Sequence, residues 1–110
     1  MIEKIILDYL SKELNVPVFL EEPVNSVLEY VIIEKTGGTK ENFISYATFA
    51  IQSYSTTLYK TAMLNEKVKQ AMDNIIILDD ISKSTLNSDY NFTDTAKKKY
   101  RYQAVYDLVY

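Results

Sequence analysis

The sequence predicts an α+β domain: a mostly antiparallel, mixed sheet of four to five strands with two helices packed on one face, in the order α-β-β-β-α-β-β. Three observations predict it. Two segments, at the start and in the middle, repeat apolar residues at helical spacing. The stretches between and after them are β-branched or alternate, the habit of strands. The length of 110 residues fits one domain over 1–110, and an apolar share of 47% suffices for its core.

The first helix rests on Ile2, Ile5, Ile6, Tyr9, Leu10 and Leu14, which fall on one stripe. Glu3 and Lys12 suit the dipole at its two ends. Asn15 is expected to stop it in the left-handed conformation, and Pro17 forbids continuation. A short strand, Val18-Phe19-Leu20, follows. Glu21, Glu22, Pro23 and Asn25 mark a connection. The second strand runs near Glu29 to Lys35 and is expected to end in a tight turn at Gly37-Gly38, the only glycines. The third runs from about Phe43 to Tyr54, with Ala47, Phe49 and Ile51 on one side and Thr48, Ala50 and Gln52 on the other. Together they read as an antiparallel hairpin.

The second helix starts near Ser55, a suitable N-cap, and runs to about Ile75. Leu64, Val68, Ala71, Met72 and Ile75 share one arc, and Lys67, Gln70 and Asn74 lie opposite. Tyr59 and Met63 form an apolar outlier on the polar side. Ile81 to Leu86 reads as a strand, and Asn87 to Thr95 as a turn-rich insert holding Tyr90 and Phe92. The last strand runs from about Lys99 to Tyr110. It places Tyr100, Tyr102, Ala104, Tyr106, Leu108 and Tyr110 on one face.

Composition excludes several chemistries. Cysteine and histidine are both absent, which removes disulfides, thiolate and imidazole catalysis, and zinc sites built on those ligands. The longest apolar run, Ile75 to Leu78, is too short for a membrane span, and the start lacks a signal-peptide pattern, so a cytosolic protein is expected. The net charge is −3. Residues 1–40 hold seven acidic and four basic side chains, whereas the last third is balanced. Most of its positive charge sits in Lys97-Lys98-Lys99-Tyr100-Arg101.

No catalytic, cofactor or metal site is expected. Glu21-Glu22 and Asp79-Asp80 sit beside turn signals, where adjacent carboxylates diverge into solvent rather than converge for acid–base work. Asp89, Asn91 and Asp94 have a spacing reminiscent of a calcium loop but lack its glycine and its closing glutamate. Thr36 to Lys40 has the wrong spacing for a phosphate loop, and no helix follows it. The run Lys97 to Tyr102 has three readings: a guarded edge strand, a patch for an acidic protein partner, or a nucleic-acid grip. Ten tyrosines are too many for a chain of this size to bury with every hydroxyl paired. They point to a protein-facing surface formed by the last strand's tyrosine face with Tyr90 and Phe92. A tyrosine-rich core reflecting AT-rich coding is the alternative. Candidate interface residues are therefore Tyr59, Met63, Tyr90, Phe92, Lys97, Lys98, Lys99 and Arg101.

Several stretches, taken in order, resemble a known family. They are the opening amphipathic helix, Val16-Pro17-Val18-Phe19, Glu29-Tyr30-Val31-Ile32-Ile33-Glu34-Lys35-Thr36-Gly37-Gly38, the strand leading into the long helix, and Tyr90-Asn91-Phe92-Thr93-Asp94 followed by Tyr100-Arg101-Tyr102-Gln103-Ala104-Val105-Tyr106. Over nearly its whole length the chain resembles the tail-terminator proteins of long-tailed bacteriophages and prophages, also called tail-completion or head–tail joining proteins. The resemblance implies an α/β fold with a mixed sheet and a non-enzymatic virion part, assembled in the host cytoplasm. It also implies a hexameric ring that caps the tail tube, stops its polymerisation and meets the head side of the joint. Expected partners are other copies of the chain, the major tube protein, a head-completion or connector protein, and DNA passing through without sequence readout. Membranes and cofactors are not expected. A connector of the same joint is the nearest alternative. A small nucleic-acid-binding module using Lys97 to Tyr102 is the alternative from another class. Rings need two different patches on each subunit; the Tyr59/Met63 ridge and the Asn87–Lys99 segment are the two expected.

Overall fold

The computed structural model describes residues 1–110. The order is α1 (Ile2–Glu13), β1 (Val18–Phe19), β2 (Tyr30–Glu41), β3 (Ile44–Tyr54), α2 (Leu58–Asp73), a 3-10 turn (Ile75–Ile77), β4 (Lys83–Asn91) and β5 (Arg101–Val109). The five strands form one mixed sheet in the order β1-β2-β3-β5-β4. Only the β1–β2 pair is parallel. This is the predicted α+β class and element order.

Both helices lie on one face. Ile2, Ile6, Tyr9 and Leu10 of α1 and Leu64, Val68, Ala71 and Met72 of α2 share one core with Val31, Ile33, Ala47, Phe49, Ile51, Ala104, Tyr106 and Leu108 of the sheet. The period-2 alternation of the strands selects these residues for one side. A smaller cluster, Tyr30, Ile32 and Tyr54 with Phe19 and Val27 against it, occupies the helix-free side. No helix is long and apolar enough to cross a membrane.

Several boundaries differ from expectation. The glycine pair makes no turn: β2 runs through Gly37 and Gly38, with an irregularity between Lys35 and Gly37, and neither glycine has positive φ. The turn is Asn42-Phe43, with φ of 51° and 67°. Positive φ at both central residues is the hairpin geometry whose twist matches the flanking strands. Asn15 takes no left-handed conformation; α1 ends at Leu14 in extended backbone. The N-cap of α2 is Thr57, whose hydroxyl accepts from the Lys60 amide, while Ser55 donates to Glu29. Helix α2 ends at Asp73 rather than at Ile75. The insert lies further along the chain than expected. Asn87 to Asn91 belong to β4, which begins at Lys83 rather than Ile81, and residues 92–100 form the connection.

The last strand's tyrosine face is also corrected. It is the core face. Tyr106 is fully buried beneath α2, and its hydroxyl donates to Asp73 at 2.8 Å. Burial, then this carboxylate, raises its pKa. Tyr9 is likewise buried, donates to the Ala71 carbonyl at 2.7 Å and is raised by burial. Part of the tyrosine surplus is therefore core, as the alternative reading held, with hydroxyls paired to helix α2.

Candidate assembly surface

The helix-free side of the sheet is organised around two tyrosines. Tyr30 of β2 pairs with Tyr54 of β3 in the ladder, and their rings stack at 4.5 Å. Phe19 meets Tyr30 edge-on. Arg101 opens β5 opposite Tyr54, donates to its hydroxyl at 3.2 Å and lies over the Phe92 ring at 4.2 Å. Tyr90 and Phe92 form an edge-to-face pair.

The connection 92–100 is a pinned turn. Asp94 and Lys99 exchange backbone hydrogen bonds, and the Asp94 carboxylate accepts from the amides of Ala96 and Lys97. Lys98 sits at φ 52°, which completes the reversal. Lys97 and Lys98 therefore stand exposed at the tip, without an ion pair, while Lys99 folds back. Its ammonium bonds Glu22 and lies 5.0 Å from the centre of the Tyr54 ring. Glu22 also accepts from the Tyr30 hydroxyl at 2.6 Å. Burial alone would raise the Glu22 carboxyl, but the bonds from Lys99 and Tyr30 outweigh it and hold it below the usual range. The same bond to Glu22 pushes Lys99 up. Burial and then Glu22 push Tyr30 up. The segment 22–28 thus closes over the aromatic stack, leaving an open pocket of about 560 Å³ beside Lys97–Tyr100.

A polar chain continues across the sheet. Tyr54 donates to Gln52, Gln52 donates to Gln103 at 2.9 Å, and Gln103 donates to the Tyr90 hydroxyl. Gln52 and Gln103 are direct ladder partners.

The structure brings Tyr90, Phe92, Lys99 and Arg101 into one cluster and leaves Lys97 and Lys98 at its rim. Tyr59 and Met63 stand exposed on α2, beside a different groove of about 350 Å³ lined also by Leu14, Val16 and Glu29. Asp89, Asn91 and Asp94, whose spacing suggested a calcium loop, each bond to different partners. Asp89 pairs with Lys69 and Asn65, Asn91 accepts from Thr93, and Asp94 holds the turn. Tyr30, Tyr54 and Glu22 escaped the sequence reading. Glu22 read as a solvated turn residue, whereas it anchors two bonds.

The most exposed aromatic side chain is elsewhere. The β2–β3 hairpin stands out from the core: every residue from Glu34 to Ile44 is exposed, and Phe43 at its tip is 95% exposed. This arm contributes to a molecule 44 Å long and 25 Å across. No protein-family model and no curated protein matches the chain.

Proposed function

We propose that this chain is a structural assembly protein of the tail-terminator kind, which closes a tail tube as a ring of copies and forms part of the head–tail joint. The observation that carries this reading is the hairpin arm. An aromatic ring held in water at the end of two long strands does nothing for the fold of its own subunit and is suited to contact with a neighbour. The stretches that resemble tail terminators support the reading further, because they include α1 and reach each of the five strands. In this reading the copies contact one another, the tube protein and the head-side connector, and DNA passes the ring without being read.

Nucleic-acid gripping through Lys97 to Tyr102 has weaker support. Lys99 and Arg101 are committed to Glu22 and to Tyr54 and Phe92, and the aromatics of the run itself, Tyr100 and Tyr102, are half-buried. Only Lys97 and Lys98 remain for phosphates.

The test is solution mass by light scattering across concentration, alone and with the cognate tube protein. A closed ring, or a monomer that assembles on tube ends and halts their growth, is the expected result. A concentration-independent monomer that ignores the tube protein overturns the reading. Salt-sensitive retention of DNA would then favour the nucleic-acid alternative.

A further inference from the structure

The sheet ends in two unpaired edges. β1 covers β2 only at Val31 and Ile32, so the outer edge of β2 from Glu34 to Glu41 has no partner strand. β4 pairs only with β5, so its other edge is free along Lys83–Asn91. Rows of unpaired backbone donors and acceptors are templates for another strand. β2, β3, β5 and β4 are successively antiparallel, which makes β4 antiparallel to β2. A second copy set beside the first in the same orientation therefore presents its β2 antiparallel to β4.

The charges select that arrangement. β4 carries Lys83 and Asp89; the arm of β2 carries Lys35 and Glu41 at the same separation, with Glu34 and Lys40 beside them. In the antiparallel sense one register sets Lys83 opposite Glu41 and Asp89 opposite Lys35. A parallel neighbour is also turned over, so the residues that then share a face with Lys83 and Asp89 are Lys35 and Glu41, which sets lysine on lysine and aspartate on glutamate and is repulsive, while Glu34 and Lys40 point to the opposite faces. The faces agree as well. Asp89 lies opposite core residue Ala104, and Lys35 opposite core residue Phe49, so both belong to the helix side. Lys83 pairs with Val109, next to core residue Leu108, and Glu41 pairs with Ile44, an odd number of residues from core residue Ala47, so both belong to the helix-free side. Each strand has one irregularity between its two charges, at Lys35/Gly37 and at Leu86/Ser88. The same register places these irregularities side by side.

We propose that copies of this chain join edge to edge, with β4 of one against Lys35–Glu41 of the next, Lys83 facing Glu41 and Asp89, which also holds Lys69 and Asn65 of its own chain, facing Lys35. Two different edges meet, so the contact is heterologous and propagates into a ring when the rotation closes. This deepens the assembly reading above; its place in a tail rests on that reading, but the pairing does not.

The chain has no cysteine of its own, which makes cross-linking unambiguous. E41C and K83C copies are mixed under mild oxidation. The expected product is an E41C–K83C adduct, with a ladder ending in a closed species for the chain carrying both cysteines. Homodimers of either single variant in preference to that adduct, or no adduct at any concentration, overturn the pairing. Charge reversal gives a second readout. E41K and K83E each weaken self-association roughly tenfold or more when alone, because every interface then sets like charges together. An equimolar mixture restores association, because alternating copies make every interface complementary; assembly indifferent to either reversal also overturns the pairing. Cross-linking with unhindered tube growth keeps the pairing and ends the terminator reading. Arrested tube growth without this adduct does the reverse.

Discussion

Tyr30 and Tyr54 face each other across the β2–β3 ladder with their rings stacked at 4.5 Å, and the two hydroxyls point to different anchors. Tyr30 donates to Glu22, which ties the 20–29 segment to the sheet; Tyr54 donates to Gln52 and accepts from Arg101, which ties β3 to β5. The stack therefore joins three parts of the chain on the side no helix covers.

Tyr54→Phe keeps the ring and removes two hydrogen bonds, leaving Arg101 short of one acceptor. The expected loss of stability is about 1 kcal/mol. Tyr54→Ala removes the stack and opens a void, with an expected loss of about 3–5 kcal/mol. Urea unfolding of both variants checks the ordering; equal losses would show that the ring contributes little beyond its hydroxyl.

The Glu22–Lys99 pair makes a small pH-dependent contribution. The Glu22 carboxyl is held low, so its share of stability is present at neutral pH and fades as the pH falls through the depressed folded value. Lys99 is raised, so on the alkaline side the pair persists until that lysine deprotonates. The side chains are 51% and 43% exposed, so solvent screens them and the pair contributes about 0–1 kcal/mol. Glu22→Gln is expected to lose that much at neutral pH and to approach the parent as the pH falls into the acid range. Denaturation midpoints of both proteins across that range decide it, and a gap that widens in acid would contradict the sign.

Periodicity made the core legible. Ile2, Ile6 and Leu10, then Leu64, Val68 and Met72, then Ala47, Phe49 and Ile51, face inward as their spacing requires. Turn chemistry misled at Gly37-Gly38, because glycine permits a turn without demanding one, and the paired arm holds the glycines extended. The consequence reaches the surface cluster. A turn at the glycines would have set Tyr30 opposite Ser45, so the Tyr30–Tyr54 stack could not be read until Asn42-Phe43 was known to be the reversal. The anchoring role of Glu22 depends on Lys99, a partner 77 residues away in the chain, and local pattern carries no information about such a pair.

Ser53 offers a substitution with the opposite sign. It lies at 0% exposure, between Val31 and Tyr102 in the ladder, and its hydroxyl has no hydrogen-bond partner. A buried unpaired hydroxyl is unfavourable, and alanine removes it with little change of volume. Ser53→Ala is expected to be neutral or stabilising by up to about 1 kcal/mol. A clear destabilisation in thermal or urea unfolding would reveal a partner for that hydroxyl.

At Phe43 the fold and the proposed assembly make opposite demands. Its backbone is left-handed at φ 67°, a conformation disfavoured for a residue with a Cβ by roughly 1–2 kcal/mol. Asn42 beside it tolerates that region, and glycine at the second central position is the common choice for this turn. Phe43→Gly is therefore expected to raise the stability of the isolated chain by about 1 kcal/mol. The ring it removes makes its subunit no better folded, being 95% exposed. On the proposed assembly reading, this strained, water-facing aromatic serves a contact with a neighbour rather than the fold. The variant should thus gain in urea midpoint and lose in self-association or tube capping. If it gains stability and assembles as well as the parent, the arm's tip is not a contact, and the paired edge behind it, Lys35 to Glu41, must make the contact alone.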